Sequence, residues 1–308
     1  MSLTFVIFAS FYPEARHAVA YADALAYAVG GRLVLLHINR ASLFDPYDLI
    51  AEGYHRQELS RQSDTATLLG QLAAGLHAPA TVEVATDLLP SVAYDLVARY
   101  RPVLFVLGQP DPSHSAPASL AEACAELLRT GGYPLLVLPP ASPTEAGQLP
   151  RRILLAADRE EFALTPAAQA LGPLLTLPGT QHFVSHISSG GEDDEGCALA
   201  MRAVQASGLL TGAAAPELRG YENHNYGAGL LAAVADTQAD LVIVIARPRS
   251  YLGDLFHHSV TARLLDHCPV PILVLPTVTE APATDPTGRT ATAAQYASLV
   301  LNGLSPAS

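Results

Sequence analysis

Lysine is absent from this chain: all 17 formal side-chain cations are arginines, set against 29 aspartates and glutamates for a formal net charge of −12. Neutralising a phosphate backbone requires basic residues, and no run of arginine supplies a local patch, so general nucleic-acid binding is excluded as an expectation. Cysteine is scarce. Cys124, Cys197 and Cys268 are widely spaced and form no CxxC pair, which fits neither a closed disulfide framework nor a zinc knuckle. They read as thiols of a reducing compartment. Long hydrophobic runs are missing too, none approaching the roughly 20 residues that span a bilayer. The opening SLTFVIFASF carries no basic leader and meets Pro13 and Glu14 at once, unlike a signal peptide. The expectation is a cytoplasmic protein with no membrane partner.

Catalytic and metal signatures are equally thin. Eleven histidines produce no HExxH and no Cys–His cluster. His182 and His186 stand four apart, but in a segment that reads as strand, about 13 Å from one another. His257 and His258 are adjacent, hence roughly 100° apart on a helix, and His224 sits between two asparagines. Ser10, Ser259 and Cys268 lack a GxSxG elbow, and Cys268 ends a helix, where the dipole disfavours a thiolate. Asp193 and Asp194 belong to the EDDE run at Glu192–Glu195, which reads as solvated surface. The expectation is a protein with no catalytic residues and no metal.

What is present is a core. Half of the 308 residues are hydrophobic, enough for two domains of ordinary size. Leu3 to Ala9 is a short apolar run suited to a strand buried on both faces. An alanine-rich helix follows and stops at Gly30-Gly31. Arg32–Ile38, Thr81–Ala85, Pro102–Leu107 and Leu135–Leu138 read as further strands, with helix-compatible stretches over Asp48–Leu76, Leu88–Tyr100 and Leu120–Arg129. Pro139, Pro140 and Pro143 mark a linker, after which the pattern begins again. Strands are expected at Arg152–Ala157, His182–Ile187, Ala214–Leu218, Asp240–Ile245 and Pro271–Leu275. Helices fall at Phe162–Leu175, Cys197–Ala206, Tyr226–Gln238 and Leu255–His267. The two passes end alike, in YPLLVLPP and VPILVLPT, so an internal duplication is the economical reading. The fold class expected is α/β: two tandem doubly wound parallel-sheet domains over residues 1–140 and 150–277, with right-handed crossovers, and an extension over 278–308.

The stretch Asp240 to Pro276, with its buried strand, loop, Ser259-Val260 and HCPVPILVL ending, resembles the closing part of universal stress proteins. Asp158 after RILLAA matches an aspartate that follows the first strand in that family. The resemblance implies a Rossmann-like fold of the adenine nucleotide alpha hydrolase type and a stress-response or regulatory role. It also implies two units packed as a pseudo-dimer within one chain, their last strands being the expected contributors, with a homodimer as a further possibility.

Nucleotide-binding members carry a glycine, two residues, a second glycine, nine residues, then glycine with Ser or Thr. Glycines let backbone amides approach phosphate without a Cβ in the way. Here the loop after DLVIVI reads Ala246, Arg247, Pro248, Arg249, Ser250, Tyr251, Leu252, Gly253, and His258 precedes Ser259 where the last glycine would stand. Pro248 removes a donor as well. In the first unit Gly108 matches, but Asp111 takes the second glycine's place and Ser10 follows the first strand in place of an aspartate. The departure resembles a non-binding branch of the family, so no cofactor is expected. The alternative is an ATP-, AMP- or small-anion-binding sensor that uses Asp158, Arg247, Arg249 and Ser259 at the C-terminal edge of the sheet. Against it stands the plainer reading, in which the arginines face solvent or pair with acids such as Asp158 or Asp254.

Overall fold

The computed structural model describes residues 2–9, 13–38, 65–109, 118–140, 147–191, 193–248, 264–265 and 267–278. Strand β1 (Thr4–Phe8) leads to α1 (Pro13–Ala28), β2 (Arg32–Ile38), α2 (residues 65–74), β3 (Ala80–Ala85), α3 (Leu89–Tyr100), β4 (Val103–Gly108), α4 (Ala118–Gly131) and β5 (Leu135–Leu138). The second half runs β6 (Arg152–Ala156), α5 (Pro166–Gln169), α6 (Gly172–Leu175), β7 (Gln181–Ser188), α7 (Asp194–Ser207), β8 (Glu217–Glu222), α8 (Tyr226–Thr237), β9 (Leu241–Ala246) and β10 (Ile272–Pro276). Most of the helix expected at Leu255–His267 lies outside the described residues. So do the loops holding Ser10 and Asp111, the start of the Asp48–Leu76 stretch, Pro143 and the extension beyond Val278.

All ten strands form one sheet in the order β3-β2-β1-β4-β5-β10-β9-β6-β7-β8. Every pairing is parallel except β5 with β10, where Leu136 faces Leu273 antiparallel. This corrects the expectation of purely parallel sheets. The sheet is mixed and continuous, because two strand edges that would otherwise present unpaired backbone groups satisfy one another. Alternate residues along each strand feed two cores, as the period of two requires. One core gathers Val6, Phe105, Val137, Leu154, Val244 and Val274 under α3, α4 and α8. The opposite face gathers Phe5, Val106, Leu136, Ile153, Ile243 and Leu273 under α1, α6 and α7. Both cores run across the β5–β10 seam. Burying a single side chain such as Phe105 contributes about 1.5–3 kcal/mol.

Two expected elements shift. The helix expected over Phe162–Leu175 is replaced by an extended segment and two single-turn helices. Pro166 starts one turn and Pro173 sits at the start of the next, where a missing N–H and a ring clash stop helix from running through. The strand expected at Ala214–Leu218 lies instead at Glu217–Glu222, pairing only with β7. It is a polar edge strand with no apolar run to mark it.

Candidate functional site

In each half the chain walks outward one way from the first strand and then returns to its other side. The reversals fall between β1 and β4 and between β6 and β9. Such switch points open a crevice at the carboxyl ends of the strands, where α/β folds bind ligands. At the second crevice, Asp158 follows the end of β6 and Arg247 follows the end of β9. Sequence reasoning offered both residues as a ligand site, and the fold brings these two together. Arg249 and Ser259, offered with them, lie outside the described residues.

The Arg247 guanidinium is engaged by its own chain at all three nitrogens. Nη2 donates to Asp158 Oδ1 at 2.6 Å and to the Glu160 carbonyl at 2.7 Å. Nε donates to Asp158 Oδ2 at 3.2 Å, and Nη1 to the Glu161 carbonyl at 3.1 Å. The Glu160 carboxylate adds a charge 3.7 Å from Nε. A fork of this kind fits the rigid plane of arginine and would be lost in lysine. The arginine side chain is only 15% exposed, while Asp158 is 51% exposed. Asp158 also turns its own loop, accepting from the Glu160 amide at 3.0 Å. Arg247 is thus paired with Asp158, one of the acids named for it above.

A second cluster stands beside it, joining two residues that the sequence offered only apart, His186 in a strand and Asp193 in a solvated acidic run. His186, near the end of β7, faces the Ala157 carbonyl with Nδ1 at 3.3 Å and the Asp193 carboxylate with Nε2 at 3.0 Å. Asp193 caps α7 by accepting from the Gly196 amide at 2.9 Å, and it is ion-paired with Arg159. That capping hydrogen bond, joined by His186 and Arg159, holds its carboxyl below the usual carboxylate range against the opposing effect of desolvation. A Cβ at Gly196 would collide with the Asp193 carboxylate and come within 2.6 Å of His186 Nε2, so any larger residue would force this pair to move. The signal was an Asp three residues before an amide at a helix start, hidden inside the EDDE run.

Three further positions, His182, Asn225 and Cys268, serve the fold among the described residues. His182 is buried with Nε2 against the Leu175 carbonyl at 2.7 Å, and burial lowers its pKa. Asn225 caps α8 through the Ala228 amide at 3.2 Å, so the asparagines flanking His224 shape a turn. Cys268 is buried, and desolvation pushes its thiol up. Among the described residues no group of three His, Cys, Asp or Glu side chains is placed to hold a metal ion. Among them, too, no helix is long and apolar enough to cross a membrane.

Comparison with curated proteins finds no match. Among solved structures, the chain is similar to a universal stress protein from Archaeoglobus fulgidus DSM 4304, with a TM-score of 0.63 at 15% identity over 88% of this chain and 97% of that one. A functionally unknown protein from Pseudomonas aeruginosa PAO1 aligns with a TM-score of 0.51 at 14% identity, over 90% of this chain and 92% of the other. At such identities the likeness is one of fold. Against known families, residues 99–276 match the universal stress protein family, from the end of α3 through the last strand. With more than half of its length matched, the chain belongs to the universal stress protein family.

Proposed function

We propose that this chain is a non-catalytic stress-response or regulatory protein that does not hold ATP through a glycine loop. Its two halves act as tandem units, packed within one chain as a pseudo-dimer in the cytoplasm. The observation that carries the reading is the state of Arg247. Its guanidinium is spent on Asp158 and on two carbonyls, in the crevice where a nucleotide would sit. A triphosphate would have to displace a partly buried forked ion pair and would gain no bare glycine amides in exchange. The surrounding charge supports the same reading. Among the described residues, the carboxylates of Asp158, Glu160 and Asp193 outnumber the guanidiniums of Arg159 and Arg247 here, which disfavours an anion.

The second reading is an ATP-, AMP- or anion-binding sensor, in which Arg247 exchanges Asp158 for a phosphate with Arg249 and Ser259 beside it. Titration calorimetry with ATP and AMP in the presence of magnesium separates the two. The expected outcome is no saturable heat with either nucleotide. Saturable heat that disappears in an Arg247→Ala, Arg249→Ala double variant would establish the sensor instead.

A further inference from the structure

We propose that residues 158–165 form a strap that couples the Arg247–Asp158 pair mechanically to the β5–β10 seam. The segment is neither helix nor strand, yet it is tied along its length to three separate parts of the molecule. At its start, Arg247 grips the Asp158 carboxylate and the carbonyls of Glu160 and Glu161. In its middle, Phe162 and Leu164 are buried among the leucines of one core. There the strap also meets the end of β10. Val278 N donates to the Ala163 carbonyl at 2.9 Å, Thr165 N donates to the Pro276 carbonyl at 3.1 Å, and Leu164 bridges Thr277 antiparallel.

At its far end the strap reaches the first half of the chain. Thr165 Oγ1 donates to the Gly132 carbonyl at 3.3 Å and accepts from the Ala168 amide at 3.3 Å, capping α5. Gly132 adopts a φ of +55°, and the Thr165 methyl lies 3.4 Å from where its Cβ would be, so the turn is fitted to the threonine. Thr277 N closes the circuit by donating to the carbonyl of Ala246, the residue before Arg247, at 3.0 Å.

The consequence is a two-ended device. A small ion that competes for either member of the Arg247–Asp158 pair frees the start of the strap, and the loosening passes through Ala163 and Thr165 to the seam. Arg247 and Thr165 are positioning residues in this scheme. The coupling does not depend on nucleotide binding, because every hydrogen bond in it lies within the chain.

Hydrogen exchange of the full chain tests it, using Asp158→Asn and Arg247→Ala, with Arg99→Ala as a control that breaks the Glu83–Arg99 ion pair. Asp158→Asn leaves Arg247 in place and removes only the charge. Both variants are expected to speed exchange about tenfold at the amides of Thr165, Thr277 and Val278, a local opening. The amide of Asn223, beyond the seam on the β8 side, is expected to keep its wild-type rate, and the control to change none of the four. Wild-type rates at Thr165 and Val278 in both variants would overturn the coupling. So would a rise of equal size at Asn223, since that marks a general loss of stability.

Discussion

Asp23 is a carboxylate placed for structure. It accepts from the amides of His77 and Ala78 at 3.0 and 2.8 Å and from the His77 ring at 2.8 Å. Burial pushes its carboxyl up, but these hydrogen bonds and the His77 charge together outweigh that and hold it below its ordinary value. A lowered folded pKa means stability that is full above the unfolded value and is lost as pH falls through the folded one. Asp23→Asn is therefore expected to cost about 1–3 kcal/mol at pH 7. In urea unfolding the deficit should shrink toward pH 3, and a deficit of undiminished size there would contradict the assignment. The thiols give a second check. Burial pushes Cys124 up to about 12 and raises Cys268; Cys197 is raised as well, by burial and by the Asp193 and Asp194 charges, but it is only half-buried and so open to reagent. A thiol-specific reagent at pH 8 should label Cys197 first in the folded protein, and equal rates at all three would mean that these burials are wrong. At this scale Asp158 and Arg247 were legible as an acid and a base at strand ends. Their mutual bond was legible only as one of several alternatives, because it depends on β6 lying beside β9 across 89 residues of chain.

Among the elements, buried strands and alanine-rich helices were readable wherever apolar residues ran together. The α1 stop at Gly30-Gly31 is a case in point. Gly30 takes a φ of +63°, and a Cβ on Gly31 would stand 2.7 Å from the Leu3 carbonyl, which is backbone and cannot swing away. Gly31→Ala is accordingly expected to destabilise by about 1–3 kcal/mol, read as a lowered thermal midpoint, and a neutral result would contradict that close approach. Elements defined by partners instead of by their own pattern were not readable. The edge strand β8 is exposed along most of its length and is specified by its register with β7. Residues 162–165 open the stretch expected as helix over Phe162–Leu175, yet this segment is held extended by hydrogen bonds to the end of β10. Long-range hydrogen bonds set its shape, and no window along the chain contains them.

For the whole molecule the deciding feature is the antiparallel seam. YPLLVLPP and VPILVLPT announced that both halves end in the same strand, and those two strands are hydrogen-bonded neighbours, with Leu136 facing Leu273. Both cores cross this line, so the halves are expected to unfold as one unit. Leu136→Ala should cost about 2–5 kcal/mol, felt as a single shifted transition in chemical denaturation. Two separate transitions, with only one moved, would show that the halves are independent.

The second crevice holds the protein's own ion pair between Arg247 and Asp158. Native mass spectrometry of gently purified protein tests this directly by weighing the intact chain. The predicted result is the mass of the polypeptide alone; a stoichiometric adduct with the mass of an adenine nucleotide, lost in Arg247→Ala, would contradict it.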